Sequence, residues 1–433
     1  MSDTVMLAPR LLPPGPTEKY ETTEDLLAWM GDNFARYGDL YRASVYGAPV
    51  YVVSNPDYCE RILRRNWRNY ARGGQVVKRI ALLLGSGLIA SNGEFWASQR
   101  RMMQPAFSKG AIPGFTGIMT KANADLLARW RVAAFRQEAV HVTHDLRTMV
   151  LKITLIAIFG DDYADVAPHF AVLAEQAARN LEFAAAFRPL GQVIRRIIEQ
   201  RRQQGREAND FLGSMMAAVD RTNGQSMPDN QLIRETLTLV IAGYETTAGL
   251  LNWIWYLLAR HPDQQSRLAA ELEAMPWGDV PPIDSLPQYN VTRQVIEEAL
   301  RLYPPLWLMT RRAVQDDQLG DFFVPAGTEI YISPYLIQRN PDLWETPDRF
   351  DPDRMQADRV VERPELAMCP FGAGPRNCIG EHFARVETQI HLMMFARELH
   401  LRHDYPKPAE ISTGMNLLSQ DDFIMWPELR HGT

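Results

Sequence analysis

Residues 371–380 read Phe371-Gly372-Ala373-Gly374-Pro375-Arg376-Asn377-Cys378-Ile379-Gly380. Gly372, Gly374 and Gly380 let a backbone turn sharply and approach a partner closely. Cys378 falls at the start of a helix expected over about 379–398. Backbone N–H groups and the helix dipole at such a position favour a thiolate over a thiol. Arg376, two residues earlier, adds positive charge, and Phe371 can shield one side of the sulfur. A fixed, partly dry thiolate held by N–H donors is what a soft anionic metal ligand requires. The alternative is a Gly-rich turn that carries a buried structural Cys. A zinc site fits poorly, because Cys369 and Cys378 lack paired-ligand spacing and no second Cys or His pair accompanies them.

The chain around this loop has 433 residues, 46% hydrophobic and 23% charged. That is too apolar for a disordered chain and too charged for a polytopic membrane protein. The net charge of −6 lacks the basic footprint of a nucleic-acid-binding protein, so no nucleic-acid partner is expected. Three cysteines, Cys59, Cys369 and Cys378, are too few for a disulfide scaffold, and a reducing, cytoplasmic setting is expected. Residues 1–20 read as an extended lead-in, since Pro13, Pro14 and Pro16 cannot continue a helix. No apolar run approaches the length of a bilayer span and no signal-peptide core is visible, so no membrane anchor is expected.

Residues 39–54 read as a hairpin, with Tyr41, Val45 and Tyr46 before Gly47-Ala48-Pro49 and Val50–Val53 after it. Beyond Pro56 the apolar periodicity is helical, over 56–65, 94–106, 115–136, 143–159, 168–186, 190–205, 209–220, 229–260, 262–274 and 291–303. Asp229 is a candidate cap for the longest of these. At 1.5 Å per residue that helix runs to roughly 48 Å, enough to cross a domain. After 303, prolines punctuate short β-rich pieces such as the strand Glu329–Ser333. No repeat or linker interrupts the chain. One domain over 1–433 is expected, mainly α with a minor β part and a long central helix.

Other positions join the cysteine loop. Trp96 and Arg100 share one face of the 94–106 helix and present an indole N–H and a guanidinium, which suits a carboxylate. A half-buried Trp beside a surface Arg is the plainer reading. Ala242-Gly243-Tyr244-Glu245-Thr246-Thr247 sits in the middle of the longest helix, where Gly and paired Thr are poor choices. Small side chains at Ala242 and Gly243 leave room for a flat group; close helix packing at Gly243 is the alternative. Glu298 and Arg301 are spaced to pair on one face. His141 with His144, and His400 with His403, have helical ligand spacing, but no carboxylate or third ligand completes a metal pattern. The basic stretch Arg195–Arg206 reads as a solvated helix face, with a membrane-surface role as the alternative.

The Phe-x-x-Gly-x-Arg-x-Cys-x-Gly pattern of 371–380 resembles the haem-thiolate loop of the cytochrome P450 family, and the other motifs follow in the family's order from about residue 20 to 420. The resemblance implies a cytochrome P450 fold with the long central helix over haem b. It makes Cys378 the metal ligand, with Phe371, Gly372, Arg376 and Gly380 around it. Ala242 and Gly243 lie against the cofactor, and Glu245 and Thr246 form the acid–alcohol pair that relays protons. Trp96, Arg100 and Arg376 reach propionates, together with Arg311, for which the neighbouring Arg312 is the alternative. Glu298, Arg301 and Arg349, the last in Pro347-Asp-Arg349-Phe350, form a buried structural triad.

The implied reaction is hydroxylation of an unactivated C–H bond using O2 and two electrons; the cofactor does the hard chemistry. With no flavin or nicotinamide domain in the chain, the electrons are expected from a ferredoxin and its reductase, or a flavodoxin-type carrier. Arg64, Arg65, Arg68, Arg72 and Arg101 are candidates for a positive surface that steers such a carrier. Family analogy places Val76, Leu88, Phe183, Phe187 and Leu237 at a substrate pocket, with Ile241, Trp307, Leu308, Leu417 and Leu418. An apolar lining suits a lipophilic molecule such as a terpene, fatty acyl chain, steroid or polyketide. A monomer is expected. Rival readings are a specialised oxidase performing desaturation or ring coupling, an isomerase or dehydratase acting on a peroxide, and a non-catalytic haem sensor. The last two have no need of Glu245 and Thr246.

Overall fold

The structure is a computed structural model that describes residues 11–22, 25–175, 181–278, 280–404 and 407–430. Contacts divide the chain into two compact units, one of Met1–Arg79, Trp307–Pro347 and Arg363–Cys378, the other of Ile80–Leu306, Asp348–Glu362 and Ile379–Thr433.

The first unit is built on a six-stranded sheet. Its spatial order is Lys19–Tyr20, Leu40–Val45, Ala48–Val53, Glu329–Ile332, Met309–Ala313 and Tyr70–Ala71. The hairpin expected at 39–54 is present, with Leu40 opposite Val53 and Val45 opposite Ala48. It turns at Tyr46 and Gly47, both at positive φ (50° and 76°), the two-residue turn whose twist matches that of the strands. Val50 pairs in parallel with Glu329 and Val53 with Ile332. Val50, Val52, Val53, Ile330 and Ile332 are fully buried and form the core of this unit. The helix Pro56–Glu60 continues into a wider π-type turn, Arg61–Arg65, a feature found often beside functional sites.

The second unit is mostly helical. Its longest helix, Asp229–Arg260, has the length the sequence predicts. Asp229 is the first residue of the helix rather than its cap, and it pairs with Arg202 at 2.6 Å. This long helix packs beside Val142–Phe159, and Thr116–Arg136 lies against Glu381–Glu398. Trp130, Trp253 and Trp255 are fully buried. His391 sits in the same core, where burial lowers its pKa to about 3. The neutral ring accepts from Trp255 Nε1 at 2.8 Å, so its other nitrogen carries the proton toward Asn123 Oδ1 at 2.7 Å. The strands Ile411–Thr413 and Leu417–Ser419 form a separate hairpin near the C-terminus.

Several expectations change. The helices Leu26–Tyr37 and Gly74–Leu84 were not expected. Asp25 caps the first through its side chain, which accepts from Leu27 and Ala28 N–H. The break expected between 186 and 190 is a continuous helix, Leu181–Gln203, that carries Pro189 inside it. Arg201 is buried rather than solvated. It donates to Asp162 at 2.7 Å, to both Asp210 oxygens at 2.8 Å and to Phe159 C=O at 2.7 Å. Four charge-assisted bonds offset its desolvation.

The expected triad is also redrawn. Glu298 and Arg301 lie on Asn290–Leu302, fully buried, joined by bonds of 2.7 and 2.8 Å. Arg349 is exposed and offers only its C=O to Arg301, at 3.1 Å. The second guanidinium on Glu298 belongs to buried Arg354, at 3.4 Å, and Asp351 N–H adds a bond of 3.0 Å. Burial raises the Glu298 pKa, and Arg301 and Arg354 oppose that rise. Arg354→Ala is expected to cost about 3 kcal/mol or more in chemical unfolding, as removing one partner of a buried ion pair does. Arg349→Ala should stay within about 0.5 kcal/mol of the parent; the reverse ranking would contradict the reassignment.

Candidate functional site

The cysteine loop belongs to the first unit. Gly372 (φ 72°) and Gly374 (φ 68°) take left-handed backbone conformations that side chains disfavour. Three bonds close the loop: Gly372 N–H to Cys369 C=O at 3.0 Å, Asn377 N–H to Gly374 C=O at 3.0 Å, and Cys378 N–H to Phe371 C=O at 2.9 Å. A Cβ on Gly374 would lie 2.0 Å from the Leu63 carbonyl oxygen of the π-type turn. Only glycine lets these two backbones meet. Gly380 differs from expectation: its φ is −90° and nothing lies within 4 Å of a Cβ built there, so the turn itself does not require glycine. The following helix begins at Glu381 rather than 379.

Of the three cysteines, only Cys378 is exposed. Burial pushes the Cys369 thiol up to about 12 and the Cys59 thiol well above its ordinary value. Both stay neutral and belong to the core. The thiol that a metal can reach is the one on the glycine-set loop.

Arg311 stands in the same unit on Met309–Ala313, buried, and Arg312 points the other way, exposed. Burial, then the charges of Arg72 and Arg376, pull the Arg311 pKa well down. Burial also lowers Arg72 to about 10. Arg72, expected on a docking surface, is therefore part of a cationic cluster with Arg311 and Arg376. Like charges brought together out of water call for anions. A dianionic group beside a thiolate-bound metal satisfies both the cluster and the loop, so the residues fit a haem with its two propionates. Arg101 also leaves the docking set: it donates to the buried Asp220 carboxylate at 2.9 Å.

The second unit supplies the other residues. From Glu235 to Leu258 the long helix is buried except at Ala242, Gly243 and Thr246. Those three share one face across a single turn, and they are the small residues the sequence singles out. A Cβ on Gly243 would come within 3.2 Å of Thr154 Cγ2, so close helix packing also favours glycine there. Thr246 Oγ1 donates back to Ala242 C=O at 2.7 Å. Glu245 is buried and accepts from Asn416 Nδ2. Trp96 (buried) and Arg100 (half-buried) stand one turn apart on Gly93–Met103.

Among the pocket candidates, Leu88, Leu237 and Ile241 are buried and Val76 is half-buried. Trp307 and Leu308 are buried within the first unit. Leu417 and Leu418 pack on the long helix: Trp253 Nε1 donates to Leu417 C=O at 3.2 Å, and Leu418 Cδ2 would lie 2.9 Å from a Cβ on Gly249. The side chains of Phe183 and Phe187 lie outside the described residues. Leu88 is positioned by Glu235, which accepts from Leu88 N–H at 2.8 Å and from Gln231 Nε2 at 2.7 Å.

The fold agrees with what the chain is similar to. The family model "Cytochrome P450" matches residues 15–190 and 180–424. The chain belongs to the cytochrome P450 family, a family of haem-dependent oxidoreductases. It is 32% identical over 391 residues to Cyclooctatin synthase of Streptomyces melanosporofaciens, covering 84% of this chain and 83% of that protein. It is 30% identical to Cyclooctat-9-en-7-ol 5-monooxygenase of the same organism, with 84% and 83% covered. Pentalenene oxygenase of Streptomyces avermitilis is also 30% identical, with 83% of each chain covered. The fold matches the crystal structure of the cytochrome P450DA heme domain at a TM-score of 0.84 and 24% identity, covering 98% of this chain and 99% of that one. Among the described residues no helix is long and apolar enough to cross a membrane.

Two outcomes follow from this geometry. Arg311→Met and Arg376→Met are expected to speed haem transfer to an acceptor globin, while Arg312→Met leaves it unchanged; an equal effect at Arg312 would contradict the cationic cluster. Burial raises Glu235 from 4.5 to about 7. Its contribution to stability is then complete below its ordinary value and is lost as pH rises through about 7. Urea unfolding from pH 5 to pH 8 should show the parent losing stability relative to Glu235→Gln; a constant difference would remove this assignment.

Proposed function

We propose that Cys378 is the thiolate ligand of haem b in a monooxygenase that hydroxylates a polycyclic terpenoid. One observation carries the ligand assignment: Cys378 is the one exposed thiol, and it stands on a loop whose turns are set by Gly372 and Gly374. When bound, the haem supplies O2 activation; one oxygen atom enters a C–H bond and the other leaves as water, consuming two electrons and two protons. The chain's own residues do the rest. In the first unit Arg311, Arg72 and Arg376 would hold the propionates; in the second, Arg100 and the Trp96 N–H present the same donor chemistry. Ala242 and Gly243 leave space for the cofactor on the open face of the long helix, which a larger side chain would fill. Thr246 Oγ holds a proton at that face, and the buried Glu245 carboxylate resupplies it.

The open face and its apolar neighbours Leu237 and Ile241 support a lipophilic substrate. Cyclooctat-9-en-7-ol and pentalenene, the molecules in the relatives' names, are polycyclic terpenoids, which favours that class over fatty acyl chains. Separate electron carriers, a ferredoxin with its reductase or a flavodoxin-type protein, complete the reaction. Arg65 and Arg68 remain the docking candidates, because Arg64, like Arg101, is paired: it donates to Glu365 at 2.7 Å. Because the family match runs through both compact units, we read the chain as one catalytic domain, acting as a cytoplasmic monomer.

The test is a titration of the ferric protein with pentalenene, cyclooctat-9-en-7-ol and a straight-chain fatty acid, followed by product analysis with a surrogate ferredoxin and reductase. A spin-state shift with a terpenoid, and a product heavier by one oxygen, are expected. A shift with the fatty acid alone would overturn the substrate class. Loss of two hydrogens without gain of oxygen would favour the oxidase reading.

A further inference from the structure

We propose that Asn416 is a positioning residue for the Glu245 carboxylate, an inference that rests on the reading of Glu245 as the proton-relay acid. The two side chains come from distant parts of the chain. Glu245 lies in the middle of the long helix, and Asn416 lies in the turn between the strands Ile411–Thr413 and Leu417–Ser419. Asn416 Nδ2–H donates to Glu245 Oε2, and both residues are buried, at 7% and 3% exposure. A buried carboxylate is costly unless donors replace the water it has lost, and a donor on a fixed support also decides where it points.

The support is fixed. Leu417 N–H donates to Pro305 C=O at 2.9 Å, and Leu417 C=O accepts from Trp253 Nε1 at 3.2 Å. Asn252 Nδ2 donates to Ser419 Oγ at 3.1 Å, and Asn252 Oδ1 accepts from Thr143 Oγ1 at 2.9 Å. Between these two ties, Leu418 packs on Gly249, where a Cβ would lie only 2.9 Å from its Cδ2. The strand after Asn416 is thus pinned to the helix one and two turns beyond Glu245. Neighbouring helix residues point about 100° apart. Glu245 therefore faces the hairpin while Thr246 faces the open side of the helix. Asn416 holds the acid in that orientation, about 100° round the helix from the alcohol it resupplies.

The experiment compares Asn416→Leu, Asn416→Ser, Glu245→Gln and the double variant Asn416→Leu/Glu245→Gln as haem-loaded proteins. One readout is peroxide released per electron, with a surrogate ferredoxin and reductase and pentalenene as the probe. The other is the unfolding midpoint. Asn416→Leu is expected to raise peroxide release by roughly threefold or more, the scale of losing one net hydrogen bond. Asn416→Ser should raise it less, and the double variant should match Glu245→Gln alone. The midpoint should fall more in the parent than in the Glu245→Gln background. A merely structural Asn416 would lower the midpoint equally in both backgrounds and leave peroxide release unmoved, which overturns the proposal. If Glu245→Gln raises peroxide release and neither Asn416 variant does, Asn416 has no positioning role and the relay reading stands. If Glu245→Gln itself changes nothing, the relay reading falls and the proposal falls with it.

Discussion

Like charges held close together around a buried arginine are the constraint on which the rest of this structure depends. Arg311 is out of water and feels two further guanidinium groups, Arg72 and Arg376. Nothing about folding alone favours that arrangement. It becomes favourable when anionic groups enter among the three, because the desolvation already incurred is then offset by charge-assisted bonds. The cysteine loop obeys the same logic with the opposite sign. A thiolate is stable only with fixed positive charge or a metal beside it, and the loop is closed by its own N–H to C=O bonds around Gly372 and Gly374. In the first unit the loop and the arginine cluster thus fit one group that carries both a soft cation and carboxylates.

The contrast with the other buried charges sharpens this reading. Arg201 and Arg301 are as deeply buried as Arg311, yet each is met by carboxylates of the chain itself. Those two are complete as they stand, and they fasten helices. Glu235 is an intermediate case, a buried acid satisfied by one backbone N–H and one amide, whose charge is removed near neutral pH. The long helix shows the corresponding choice in shape: from Glu235 to Leu258 it is sealed except at Ala242, Gly243 and Thr246.

Much of this was legible in the sequence because glycines, cysteines and periodicity leave local signatures. The loop around Cys378, the hairpin at 39–54 and the helix 229–260 all stand where the residues place them. Reading failed where one local pattern occurs twice or where burial decides. Pro347-Asp-Arg349 and Pro352-Asp-Arg354 are the same tripeptide five residues apart, and only the packing against Glu298 selects Arg354. Arg201 looks like any residue of a basic stretch until Asp162 and Asp210 close around it. Arg72 follows the same rule, since its partners lie far along the chain. Pro189 suggests a helix end, yet the helix runs through it. The tie between Asn416 and Glu245 spans 171 residues and has no sequence pattern to announce it.

The central claim is that the exposed cysteine on the glycine-set loop ligates the haem as a thiolate. The ferrous–carbon monoxide difference spectrum of the purified protein tests it most directly. A Soret band of the thiolate-ligated type, lost in Cys378→Ala, is expected. A band of the histidine- or thiol-ligated type in the parent, or a thiolate-type band that survives removal of Cys378, would contradict it.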